Sequence, residues 1–245
     1  VLVPCLHDEP FARLEPVGAM FRSVGRLAFN TASERRLAER LYGPAPQGSG
    51  IAGMAIEPFE ADPAAIRSRL TFDAPFVLYS GRREPMKGTP LLFDYMTAFR
   101  ARTGRDVHLV LTGSGPIDPP AELKPFVTDL GFVSEADKHA AMAGAVAFCH
   151  PSVYESLGIV LLESWIAGSP ALVHGCSEVL RDQCRLSGGG LWFKTYPEFE
   201  EELNVFLDDP DLCRRMAAAG RRFASNVYGP DAVWTRLSSI LDEPG

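Results

Sequence analysis

FCHPSVYESLGIVLLESWIAGSPALV, residues 148–173, reads as strand, loop, helix and strand. The apolar run AVAFCH enters a Pro-Ser loop that carries Glu155, followed by the small or backbone-exposing residues Ser156, Leu157 and Gly158. A helix is predicted from Gly158 or Ile159, with Glu163 in its second turn and its end at Gly168, before Ser169-Pro170 leads to the next strand. A helix start directly after a strand offers unpaired N–H groups and a partial positive charge, which suit a phosphate. Carboxylates accept hydrogen bonds from hydroxyl groups, so a place with both features suits a phosphorylated sugar. Taken alone, Glu155 reads more readily as a solvated loop acid and Glu163 as an acid favouring the helix dipole; the surrounding chain changes that reading.

Outward from that stretch the same unit repeats. FVLYS is a strand from Phe76, and Thr89 to Thr103 is a helix with Leu92, Tyr95, Met96 and Phe99 on one face. VHLVLT and a weaker FVTDLG are strands, Ser134 opens a helix to about Ala143, and PALVH, a helix near Val179 and GGLWF follow. Near-continuous apolar strands alternating with helices imply an α/β fold, a Rossmann-like doubly wound parallel sheet covered on both faces. The usual order for six such strands is 3-2-1-4-5-6, with the first beside the fourth at the switch point. The loop GRREPMKG (81–88) after strand one is then expected to face the Glu155 loop across one crevice. Arg82 brings a planar fork of donors and Lys87 a point charge, both fit for phosphate oxygens. Gly113-Ser114-Gly115 reads as a tight turn where backbone approaches a ligand.

Residues 1–55 read strand, helix, strand, helix, strand: VLVPCL, Glu15 to Ser23, RLAFN, a helix to about Leu41 behind the capping box Thr31-x-x-Glu34, then GIAGMA. So few elements cannot cover both faces of a parallel sheet, and the chain opens with Val inside a strand. We therefore expect the tail of a second, partial domain, and a chain that binds its ligand better than it turns it over. The Pro-rich 56–74 segment reads as a linker. Pro197 and Asp209-Pro210 mark the starts of two of the final helices, and Asp231 is expected to cap a third that ends near Leu241.

A net charge of −7 and a pI near 5.3 argue against a nucleic-acid partner. No apolar run reaches the length of a membrane span. A peripheral membrane contact stays open, although no Lys/Arg-rich amphipathic helix supports it. Five scattered cysteines without a C-x-x-C pair read as reduced thiols of a cytoplasmic protein. Cys149-His150 and His174-x-Cys176 lack a second ligand pair at zinc spacing and read as core residues. Neither metal nor cofactor is expected.

GRREPMKG, LVLTGSGP, LGFVSEAD and PSVYESLGIVLLESWIAGSPALV, in this order and spacing, resemble the donor-binding half of the retaining family 4 glycosyltransferases, which have the GT-B architecture of two facing Rossmann-like domains. The resemblance covers roughly residues 50–241. It implies an acceptor-side remnant over 1–57, a linker over 58–74, a nucleotide-sugar domain over 75–208 and C-terminal helices over 209–245 that cross back to the first domain. It implies that Arg82 and Lys87 contact the donor diphosphate, that Glu155 faces the donor hexose, and that backbone N–H groups around Leu157, Gly158 and Ile159 hold sugar hydroxyls and phosphate. Glu163 is implied at the ribose, the backbone of Phe132 and Val133 beside the nucleobase, and His7 at the cleft near the donor sugar. The catalytic set is then His7, Glu155, Arg82 and Lys87, with Gly113 among the substrate-binding residues. Ser-Leu-Gly follows Glu155 where the family often has an aromatic, and the family's first-domain glycine loop has no counterpart. The implied partners are a nucleoside-diphosphate sugar and a glycan, lipid or small-molecule acceptor. Two rivals stand beside this reading: a catalytically silent nucleotide-sugar-binding module and a sugar-nucleotide epimerase of the same architecture.

Overall fold

In the computed structural model, which describes residues 1–242, helix α1 (Glu15–Ser23), strand β1 (Ala28–Phe29), helix α2 (Ala32–Tyr42), strand β2 (Gly50–Ile51) and helix α3 (Pro63–Arg67) precede the main sheet. Then β3 (Phe76–Ser80), α4 (Thr89–Thr103), β4 (His108–Thr112), β5 (Val127–Asp129), α5 (Glu135–Gly144), β6 (Ala147–His150), α6 (Ile159–Ala167), β7 (Ala171–His174), α7 (Glu178–Ser187) and β8 (Gly190–Phe193) alternate. Helices α8 (Tyr196–Asp208), α9 (Pro210–Tyr228) and α10 (Pro230–Asp242) follow. The six-stranded sheet runs β5-β4-β3-β6-β7-β8, all parallel, with Val77 beside Ala147 and Leu78 beside Phe148. The first strand of the sheet therefore lies against the fourth, as expected for a doubly wound fold.

Because side chains alternate across a strand, each strand feeds two cores. Phe76, Leu78, Val110, Phe148 and Val173 point to one face, where Leu161, Trp165 and Tyr228 pack on them. Val77, Tyr79, Leu109, Leu111 and Leu172 point to the other, under Leu92, Met96 and Phe99 of α4 and Phe199, Leu203 and Phe206 of α8. Burial on both faces is why the strands read as unbroken apolar runs. The 56–74 segment is less featureless than a linker: Asp62 caps α3, and Ile66 is buried.

The opening segment differs from its sequence reading. VLVPCL forms one parallel bridge, Leu2 to Leu27, and no strand. Pro4 has no N–H to give, and the polar bonds of the segment go elsewhere. Asn30 Nδ2 donates to the Pro4 carbonyl (2.7 Å), and the Leu6 amide donates to Glu34 (2.7 Å). A small core of Leu6, Phe21, Leu27, Phe29 and Leu37 holds this part together. Helix α10 reaches it: Ile240 packs on Ala28 and Ala52, Arg26 donates to the Ile240 carbonyl and Arg236 to that of Ala52. Asp231 lies inside the first turn of α10, behind Pro230, and is not its cap.

Candidate active site

The loops after β3 and β6 meet at the switch point. Gly88 sits at φ +77°, and a Cβ there would come within 2.5 Å of the Pro151 carbonyl oxygen. Only glycine lets the two loops approach this closely. Gly113 shows the same need, but its neighbour is not a ligand site. At φ +112° its missing Cβ would lie 2.1 Å from the Gly81 carbonyl oxygen, so the turn after β4 is pressed against the 81–88 loop. Gly113 does not line the cleft.

Arg83, rather than Arg82, fixes that loop. Its buried guanidinium forks onto Asp129 (2.5 and 3.1 Å) and also donates to the carbonyls of Gly113 and Gly115 (both 2.8 Å). Arg82 next to it is exposed, points into solvent at the rim of the cleft and pairs with Glu84 at 3.1 Å. Nothing local in the Arg-Arg pair tells which one turns inward.

The cleft has a volume of about 260 Å³ and is walled by Tyr79, Arg82, Lys87, His150, Glu155 and Gly158 with Cys5, Asn30 and Met54 opposite. At its centre Lys87 Nζ donates to Glu155 Oε1 at 2.7 Å, with side chains 20% and 11% exposed. Burial opposes ionisation of Glu155, but the Lys87 ammonium, through its charge and its hydrogen bond, and the Ser152 hydroxyl hold the carboxyl below its ordinary range. His150 Nε2 stands 3.5 Å from the same oxygen. The imidazole is itself buried, which pushes its pKa down and keeps it neutral at pH 7, so Lys87 carries the positive charge. His7 lies on the facing segment, where burial likewise lowers its pKa against the opposing pull of Glu155.

The loop between Glu155 and α6 is held from behind. Thr31 Oγ1 donates to the Ser156 carbonyl (3.0 Å), and Gln183 Nε2 donates to that of Leu157. In a trans peptide the following N–H points the opposite way, so the amides of Leu157 and Gly158 are turned away from those anchors. Gly158, at φ +77°, precedes α6, and no side chain caps the helix among the described residues. Its first-turn donors adjoin the cleft at Ile159 and Val160.

Glu163 lies outside the cleft, between α5 and α6, where Lys138 Nζ reaches it at 3.0 Å. Burial raises its pKa. Val133 is half-buried, whereas the Phe132 side chain is 88% exposed at the turn before α5. Glu135, His139 and Glu163 place potential metal-ligand atoms within 4.8 Å of one another. The Lys138 ammonium already sits among them, 2.6 Å from Glu135.

Glu34 and His150 were not legible as site residues. Glu34 is fully buried, and burial pushes its pKa up to about 7 despite amide donors from Leu6 and Asn30 (2.7 and 2.6 Å). The capping signature Thr31-x-x-Glu34 is present, since Thr31 Oγ1 accepts from the Glu34 amide. The carboxylate, however, reaches back to the segment that carries Cys5 and His7. Ser33 and Arg36 of α2 bond Asp182 of α7 (2.9 and 2.5 Å), fixing this wall against the other. Cys149 and Cys184 are buried, with thiol pKa values raised by burial, and Cys5 and Cys176 are exposed.

Doubly wound sheets bind ligands in the crevice at the switch point, which is where two loops here close on the Lys87–Glu155 pair. Residues 64–223 match the family Glycosyl transferases group 1, and the chain belongs to that family. It is 28% identical over 256 residues to alpha-D-kanosaminyltransferase of Streptomyces kanamyceticus, covering 97% of this chain and 65% of that protein. The chain thus spans a little under two thirds of that relative's length. Its fold is that of HepE from Anabaena, solved with UDP and glucose (TM-score 0.80, 18% identity, 99% of this chain and 72% of that one). Sucrose-phosphate synthase of Thermosynechococcus elongatus is also similar (TM-score 0.76, 21% identity, 96% and 62%). These are GT-B glycosyltransferase folds. Among the described residues no helix is long and apolar enough to cross a membrane.

Proposed function

We propose that the cleft binds a nucleoside-diphosphate hexose and serves retaining transfer of the hexose to a hydroxylated acceptor. The observation that carries this reading is the convergence of Lys87, Glu155 and the uncapped start of α6 on one cavity at the switch point. The leaving diphosphate develops charge as the glycosidic bond breaks, and preorganised donors aimed at that charge lower the barrier. Lys87, Arg82 at the rim and the amides of Gly158 and Ile159 supply them. With two cations and a helix start available, the diphosphate is neutralised by the protein's own groups, and no metal ion is required. Glu155 accepts from hexose hydroxyls as a positioning group, and His7 faces the hexose from the opposite wall. Retention follows a path on one face of the sugar, with the departing phosphate assisting the acceptor. Glu163, with Lys138, is assigned to the ribose hydroxyls, and the backbone of Phe132 and Val133 to the base. The UDP and glucose of the HepE structure support this class of donor.

Calorimetric titration with UDP and UDP-glucose tests the division of labour. Glu163→Ala should weaken bare UDP and erase discrimination against its 2′-deoxy form. Glu155→Gln should not weaken UDP, for which it frees Lys87, and should remove whatever glucose adds. Equal effects of both variants on bare UDP would contradict the assignment.

A further inference from the structure

We propose that His150 is a positioning residue for Glu155, donating from Nε2 to the carboxylate when a donor diphosphate draws Lys87 away. The inference rests on the reading of the cleft given above and adds a residue to it.

His150 is 4% exposed and lines the cleft, yet neither ring nitrogen has a hydrogen-bond partner among the described residues. Leaving a buried polar group unpaired is costly, and natural proteins seldom do so without a reason. Its Nε2 faces Glu155 Oε1 at 3.5 Å, too long for a good hydrogen bond. Closing that gap to bonding distance needs a movement of about 0.6 Å. Lys87 currently occupies the same oxygen at 2.7 Å.

Lys87 therefore has two claimants. It holds Glu155 in the free cleft, and a diphosphate carries more negative charge than one carboxylate. When the phosphate takes the ammonium, Glu155 loses its counter-charge while remaining buried, and burial favours protonation. A protonated Glu155 no longer accepts from sugar hydroxyls through both oxygens. The buried Ser152 hydroxyl already supports the carboxylate, with its Oγ also 3.3 Å from the Tyr154 carbonyl, and adds no new donor; the remaining groups around Glu155 are poor replacements. The Tyr79 hydroxyl is committed to the Arg82 carbonyl at 2.5 Å. Arg82 pairs with Glu84, and His7 lies across the cleft near Glu9. On the far side of Glu155, Asp8, Glu34, Arg40 and Glu178 line a second cavity, with Arg40 paired to Asp8 at 3.4 Å. His150 already stands at the right oxygen, and burial keeps its ring neutral. A neutral N–H donor steadies the carboxylate without competing for the phosphate. Phosphate and sugar recognition are coupled through this exchange of partners on one oxygen.

The test is the ratio of UDP to UDP-glucose dissociation constants across the pH range, for the unaltered chain, Glu155→Gln, His150→Leu and His150→Gln. His150→Leu should lower the ratio at least about tenfold, as for loss of a bond to a charged acceptor, and move its pH dependence upward. Glutamine places an amide N–H near the position of Nε2, so His150→Gln should retain the ratio. An unchanged ratio in His150→Leu, or equal losses in the two His150 variants, would overturn the proposal. If the leucine variant does not fold, the imidazole nitrogen resonances of His150 in the unaltered chain decide. A neutral Nε2–H ring whose proton resonance moves downfield as UDP is added supports the exchange, whereas a ring indifferent to UDP or already protonated refutes it. A chain that does not bind UDP, or to which glucose adds nothing in a Glu155-dependent way, overturns the underlying reading of the cleft instead.

Discussion

Lys87→Met should destabilise the chain by an amount that grows as the pH rises. The substitution keeps most of the aliphatic stem and removes the ammonium from Glu155, 2.7 Å away. Removing one partner from a buried ion pair costs about 3–5 kcal/mol; here both side chains retain some solvent contact, so about 2–4 kcal/mol is expected near neutrality. The sign follows from linkage. In the unaltered chain the Glu155 carboxyl lies below its unfolded value. Its ionisation then contributes stability above the unfolded pKa, lost as the pH falls through the folded one. In Lys87→Met the burial remains and the neutral His150 offers no charge, so the carboxyl rises above its unfolded value. Its contribution is then present at low pH and lost as the pH climbs. The difference between the two proteins should be small near pH 4 and reach its full size by about pH 8. Urea denaturation across that range measures it, and Lys87→Met/Glu155→Gln should recover most of the loss because no buried charge is left unpaired. A penalty independent of pH, or a double variant no better than the single one, would refute the reasoning.

Glu34 predicts the opposite slope in the unaltered chain: its raised pKa makes its contribution present below the unfolded value of 4.5 and lost through about 7. Glu34→Gln should flatten stability against pH over that interval, by about 2–3 kcal/mol, in the same urea series. Arg83→Ala leaves Asp129 with only the Gly131 amide, takes the guanidinium from two carbonyls, and should cost about 2–4 kcal/mol in thermal or urea unfolding. It should also weaken UDP, although Arg83 lines no part of the cleft, because the 81–88 loop loses its anchor. UDP affinity should be equal in EDTA and in excess magnesium or manganese, and a requirement for the metal would remove Arg82 and Lys87 from the diphosphate.

The sheet was readable because its strands are buried on both faces and its turns carry glycine and proline. Helix α4 and helix α6 have the predicted bounds, and the expected strand order places the 81–88 loop opposite Glu155. What sequence could not give was which way a side chain turns from an irregular loop. Arg82 and Arg83 are adjacent and chemically alike, yet one pairs at the surface and the other is buried, tying its loop to the turn after β4 and to Asp129 of β5. His150 reads as a core residue at a strand end, and it is buried; the irregular loop 151–154 turns Glu155 back onto it, and the pairing of β3 with β6 brings Lys87 to both. Glu34 looks like a local helix cap, and its partner Leu6 is 28 residues away. The VLVPCL strand failed for a related reason. Apolar periodicity does not reveal that Asn30 and Glu34 take the segment's hydrogen bonds.

The central claim is that donor phosphate and Glu155 compete for Lys87 in one cleft. A crystal structure of the chain soaked with UDP tests it most directly. The account predicts a β-phosphate within hydrogen-bonding distance of Lys87 Nζ and the Gly158–Ile159 amides, with Lys87 withdrawn from Glu155. A nucleotide bound elsewhere, or one bound there with the Lys87–Glu155 pair intact, would contradict it.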